Sequence, residues 1–223
     1  MLLETSATLL PFLDSSPKIL CLPSFYVTID GGSLFSCTSY LKRKEFLMSN
    51  DKLTLLLMAG LPGAGKSTLA RELSRELKWH VVDKDMYREV ILKQGWDYEH
   101  AARTAYELSF AIARDVLTKQ QASVIFDSAA LQHFVLENAL HIAHSLANVQ
   151  IKIILCVADR DLRNHRLRNR PWQPVTVQAD PATIADYLRL YEHLSSDTLI
   201  LYTNTSFAEY FEIAKEYLTG ETK

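Results

Sequence analysis

The feature that most constrains the fold is an apolar run, Leu53–Ala59, that passes directly into Gly60-Leu-Pro-Gly-Ala-Gly-Lys-Ser67. The run is bounded by Lys52 and Gly60 and reads as a strand buried on both faces. Beyond the loop, Leu69, Leu73 and Leu77 recur every four residues, which is one face of a helix. Strand-like runs return at Trp79–Val82, Ser123–Phe126, Val149–Val157 and Thr198–Tyr202. Helical patterns separate them: Ala101, Ala105, Leu108, Ile112 and Val116; Leu131, Val135, Ala139, Ile142 and Leu146; Ile184, Leu188 and Tyr191; and Phe207, Tyr210, Ala214 and Tyr217. Strands alternating with helices predict βαβ units and an α/β fold, a parallel sheet with helices on both faces.

The loop also dictates chemistry. Its spacing is Gly-x-x-x-x-Gly-Lys-Ser, with Gly60, Gly65, Lys66 and Ser67 at the fixed positions. Three of the chain's seven glycines lie here, and they let successive N–H groups point at one anion. The helix that follows offers its N-terminus to the same charge. The segment Gly60, Leu61, Pro62, Gly63, Ala64, Gly65, Lys66, Ser67 and Thr68 is therefore expected to bind the phosphates of ATP. Lys66 would neutralise the β- and γ-phosphates, and the Ser67 hydroxyl would ligate Mg²⁺.

Ligands of an open parallel sheet sit beyond the carboxyl ends of its strands. Asp83 and Asp85 follow the second predicted strand, so both are expected at the edge that carries the loop. Asp85 fits a general base that takes the proton of an attacking hydroxyl, whereas Asp83 better fits a helix cap. Arg88, three residues on, shares the helical face of Asp85 and could hold an acceptor or phosphate. The run Val124-Ile-Phe-Asp127 ends an apolar strand in a carboxylate, the form that holds Mg²⁺ opposite the loop serine. In Asp159–Arg170, the arginines at 163, 166 and 170 share one helical stripe. Arg166 and Arg170, and less so Arg163, are expected to close over the transferring phosphoryl group.

Composition narrows the classes. A net charge of −2 argues against a nucleic-acid-coating surface, without excluding a local basic patch. Cys21, Cys37 and Cys156 form neither a disulfide framework nor a zinc site, so a reducing, cytoplasmic compartment is expected. Cys156 reads as core. His133, His141 and His144 share a helical face, but no acidic or cysteine partner stands at ligand spacing, so metal binding is not expected there. No apolar run approaches bilayer-spanning length, so no membrane partner is expected. Residues 1–47 hold three of the seven prolines and show no persistent period. They are expected to form a poorly ordered extension, with Met48 the natural start of a domain over 48–223.

These residues resemble a family. Gly-Leu-Pro-Gly-Ala-Gly-Lys-Ser-Thr, then Asp83-Lys-Asp-Met-Tyr-Arg88, the strand ending Asp127-Ser128, the arginine-rich segment and Thr203-Asn-Thr-Ser206 are similar to the small P-loop kinases. Within them the resemblance is to the polynucleotide-kinase-like and zeta-toxin-like group, often labelled AAA-family ATP-binding proteins. It covers roughly residues 53–218. It implies a three-layer P-loop NTPase fold with sheet order 2-3-1-4-5 and an acceptor pocket opposite the nucleotide. It also implies a general base at Asp85 with Arg88 beside it, and lid arginines at Arg166 and Arg170. Several relatives follow the Asp127 position with a small residue, Thr and Asn; here Ser-Ala-Ala follows. The expected activity is transfer of the ATP γ-phosphoryl group, with Mg²⁺, to a hydroxyl on a small molecule or a nucleic-acid 5′ end. No obligate protein partner is evident. The rival expectation is an ATPase or nucleotide switch acting on a partner protein.

Overall fold

A computed structural model of the chain describes residues 52–169, 180–195 and 197–220. All lie in the compact unit Asn50–Lys223. The expectations for residues 1–47 and for Arg170 lie outside the described residues.

The elements alternate as the pattern predicts. They are β1 (Leu53–Ala59), α1 (Lys66–Leu77), β2 (His80–Asp83), α2 (Lys84–Lys93), α3 (Tyr98–Asp115), β3 (Val124–Asp127) and α4 (His133–Ser145), followed by β4 (Val149–Val157), α5 (Arg160–Arg168), α6 (Ile184–Arg189), β5 (Leu199–Tyr202) and α7 (Phe207–Thr219). A π-helical turn, Val116–Gln120, extends α3. The five strands pair in parallel in the order β2-β3-β1-β4-β5, which is the P-loop NTPase arrangement that the resemblance implies.

β1 lies at the centre, and its alternate residues serve two cores. Leu55, Leu57 and Ala59 pack with Val116, Val135, Ala139 and Tyr187, contributed by the α3 extension, α4 and α6. Leu56 and Met58 pack with Leu69 and Leu73 of α1 and with Tyr210, Ala214 and Leu218 of α7. Both faces of the sheet are thereby covered, and each fully buried Leu contributes roughly 1.5–3 kcal/mol. α7 opens with a capping box in which the Ser206 hydroxyl accepts the Glu209 N–H and the Glu209 carboxylate accepts the Ser206 N–H.

Two helical faces differ from the pattern. On α3 the buried residues are Ala101, Ala105, Ser109 and Ala113, while Leu108 is 42% exposed. Ser109 tolerates burial because its hydroxyl donates to the Ala105 carbonyl at 2.6 Å. On α6 the fully buried residue is Tyr187, whose hydroxyl also finds partners, described below.

Candidate active site

The chain leaves β1 at the point where the strand order reverses, with β3 on one side and β4 on the other. Crevices of open α/β sheets form at such points. Gly60 continues the line of β1, whose Ala59 pairs with Leu155, and therefore abuts the backbone of Cys156. A Cβ there would lie 2.4 Å from the Cys156 carbonyl oxygen, and φ is +131°. Gly63 at φ +83° would place a Cβ 2.7 Å from the Arg163 carbonyl oxygen. These two positions require glycine for space as well as for conformation.

Between them the loop is held from three sides. The Gly60 N–H donates to Ala129 O at 3.1 Å, and the Ala64 N–H donates to Leu61 O at 3.1 Å. The Leu61 N–H donates to the Tyr187 hydroxyl at 2.6 Å, and that hydroxyl donates to Cys156 O at 2.8 Å. The Thr203 hydroxyl, just past β5, donates to Ala64 O at 2.9 Å. Gly65 stands at the N-terminus of α1 with φ +91° and has no side chain with which to cap it. The first-turn N–H groups of α1 are thus presented to an anion.

Lys66 opens α1 and is 9% exposed; its ammonium donates to Leu61 O at 3.1 Å. Ser67 and Thr68 follow on the same turn. Asp127 ends β3 directly opposite Met58 of β1 and Asp83 of β2. Burial pushes the Asp127 carboxyl up to about 6, against the pull of Lys66 and of a hydrogen bond with the Ser67 hydroxyl. Nearby Asp83 and Asp85 add to the rise. A hydroxyl and a buried carboxylate in contact, beside a phosphate-binding loop, form an oxygen donor set suited to a hard divalent cation.

Asp83 is the cap of α2: its carboxylate accepts the N–H groups of Asp85 and Met86 at 3.0 and 3.3 Å. Asp85 is freed from capping, and its side chain is 50% exposed. It pairs with the Lys84 ammonium at 2.6 Å and the Arg88 guanidinium at 3.2 Å. Burial would raise its pKa, but Lys84, Arg88 and Lys66 together hold it below the ordinary carboxylate range. The Lys66 charge acts to lower the pKa of both Asp127 and Asp85.

The arginine stripe divides. Arg163 is 1% exposed, stacks over the Tyr187 ring at 5.5 Å and reaches Asp180 at 3.3 Å. It supports the loop from beneath, where its backbone meets Gly63. Arg166 donates to Gly63 O at 3.2 Å, to the Thr203 hydroxyl at 3.0 Å and to Thr203 O at 2.7 Å. It thus sits against the phosphate loop and ties it to the end of β5. Cys156 is buried, and burial pushes its thiol up to about 12, as suits a core residue.

Sequence reasoning missed Lys84, Tyr106 and Tyr187, and gave Thr203 only as part of the family resemblance. Lys84 is buried, with its ammonium 4.9 Å above the Tyr106 ring. Nothing local in the sequence marks Lys84 as buried, since a lysine beside aspartates is an ordinary surface pattern.

The AAA domain family model matches residues 55–194. No curated protein matches the chain. Among solved structures, a candidate kinase from Chloroflexus aurantiacus is 22% identical with a TM-score of 0.54, covering 76% of this chain and 100% of its own. A gluconokinase from Sinorhizobium meliloti 1021 is 14% identical with a TM-score of 0.52, covering 76% and 94%. The Pnkp1/Rnl/Hen1 RNA repair complex contains a chain 19% identical with a TM-score of 0.53, covering 66% and 48%. With the family match spanning most of the folded unit, the chain belongs to the AAA domain family and has the fold of the small P-loop kinases.

Proposed function

We propose that this chain is an ATP-dependent phosphotransferase that moves the γ-phosphoryl group of ATP to a hydroxyl acceptor. The observation that supports this reading is the placement of two carboxylates at the sheet edge that bears the loop: Asp127 ends β3 opposite Met58 of β1 and Asp83 of β2, and Asp85 lies in the first turn of α2. Asp127 would hold the metal with the loop serine, and Asp85 would face the acceptor.

The loop N–H groups and Lys66 would bind and orient the triphosphate, neutralising charge that grows on the transferred group. Ser67 and Asp127 would hold Mg²⁺, which would supply positive charge against the phosphates. Asp85 would accept a hydrogen bond from the acceptor hydroxyl and then its proton. A carboxylate with a lowered pKa is a weak base, which suits a loose transition state in which the proton moves late. Lys84 and Arg88 fix the Asp85 carboxylate, and Arg88 can contact acceptor or phosphate. Arg166 would keep the phosphate loop in its binding shape and, with Arg170, lie beside the nucleotide. Residues 48–223 would carry the reaction.

The test is label transfer from γ-labelled ATP with Mg²⁺ to a metabolite extract and to 5′-hydroxyl oligonucleotides. Lys66→Ala is expected to remove transfer by several orders of magnitude. Asp85→Asn is expected to retain ATP binding and lose transfer by about 10²–10⁴-fold. Label released only as free phosphate, at one rate whatever is added, would overturn the reading in favour of a nucleotide switch.

A further inference from the structure

A cavity of about 800 Å³ lies between α3 and the start of α4. Tyr98, Tyr106, Phe110 and Phe134 give it an aromatic lining. It is coupled to the Asp85 cluster through two of those rings. Arg88 lies 5.2 Å over the Tyr98 ring and donates to its hydroxyl at 3.1 Å. Lys84 lies over the Tyr106 ring. The two cations that hold Asp85 therefore rest on the walls of this groove.

The rings are arranged to receive another ring. Phe134 meets Tyr106 edge-on, with centroids 5.1 Å apart, and Phe110 stacks at 4.6 Å on Phe126 beneath. Phe134 remains 38% exposed, so a ligand can reach its ring. The lining's charges are Glu99, Arg103 and Glu107, which sum to −1, and the Arg103 guanidinium donates to Glu107 at 3.3 Å. A groove that follows a polynucleotide pairs its stacking rings with cations along the phosphate backbone. The lining of this one offers two carboxylates and a single engaged arginine, and the two cations on its walls, Lys84 and Arg88, are paired with Asp85.

We infer that the groove binds the flat ring of an uncharged or cationic small-molecule alcohol, presenting its hydroxyl to Asp85. This inference rests on the phosphotransferase reading. It excludes polynucleotide ends and anionic polyols as acceptors, and it gives the aromatic residues of α3 and α4 the role of choosing the substrate.

The test measures label transfer from γ-labelled ATP to adenosine, uridine and 1-phenyl-1,2-ethanediol, alongside glucose, gluconate and a 5′-hydroxyl oligothymidylate. Saturation-transfer NMR would be run on the same compounds. Label and NMR contact are expected with ring-bearing alcohols. Phe134→Ala should raise KM for the labelled acceptor roughly tenfold, the size of one lost stacking contact, and leave KM for ATP within about twofold. Phe134→Leu, which keeps the apolar volume, should reproduce that loss and so separate stacking from misfolding. Label entering only glucose, gluconate or the oligonucleotide would overturn the inference and leave the kinase reading standing. Phosphate release with no labelled acceptor would overturn both. Failure of every ring-bearing compound to take label or give NMR contact would also overturn the inference.

Discussion

Tyr187→Phe isolates one hydroxyl that bridges the phosphate loop and β4. In the native fold that oxygen accepts the Leu61 N–H at 2.6 Å and donates to Cys156 O at 2.8 Å, in a side chain 1% exposed. Phenylalanine fills nearly the same volume, so no cavity contributes. The Leu61 N–H is left without its acceptor in a buried loop, and an orphaned buried donor costs about 1–3 kcal/mol. Taking about 2 kcal/mol, and about 2–4 °C per kcal/mol for a domain of this size, Tm should fall by roughly 4–8 °C. Because the loop's shape is what binds phosphate, ATP affinity should fall with it. Tyr191→Phe is the control. The Tyr191 hydroxyl donates to Ala129 O at 3.0 Å, but that carbonyl also receives the Gly60 N–H. It stays partnered, so the expected cost is about 1 kcal/mol or less. Circular-dichroism melts and calorimetric ATP titrations would read both variants. Equal melting temperatures for Tyr187→Phe and wild type, with equal ATP affinity, would refute the argument that this hydroxyl sets the loop.

Two further outcomes follow from the site. Gly63→Ala meets both a positive φ and an approach of 2.7 Å to the Arg163 carbonyl oxygen; ATP binding by calorimetry should be lost, and wild-type affinity would contradict the close approach. Asp127 has its folded-state pKa raised to about 6 from an ordinary 3.8, so in metal-free protein its ionisation costs stability above that value. Stability from this group is greatest below about pH 4 and declines as pH rises to about 6. Asp127→Asn should therefore melt higher than wild type at pH 7.5, by up to about 3 kcal/mol, with the gap closing towards pH 4; melts across that range without Mg²⁺ check it, and a gap that widens on acidification would refute it.

The sequence by itself determined the strand–loop–helix that opens the fold, the alternation of later strands and helices, and the loop residues Gly60 to Thr68. These are local: an apolar run bounded by glycine, a four-residue period and a fixed glycine–lysine spacing carry their meaning within a dozen positions. It also suggested that Asp83 caps and Asp85 does not, because capping geometry is set by near neighbours. Tertiary structure alone decided the rest. Arg163 and Arg166 are equivalent on a helical wheel, yet one is buried under the loop against Tyr187 and the other grips Gly63 and Thr203. Leu108 matches the apolar period of α3 while Ser109 takes the buried place. Tyr187, Thr203 and the aromatic groove acquire their roles from residues far away in the chain. Packing in three dimensions chooses among chemically similar side chains, and periodicity along one dimension cannot say which of them will meet a partner.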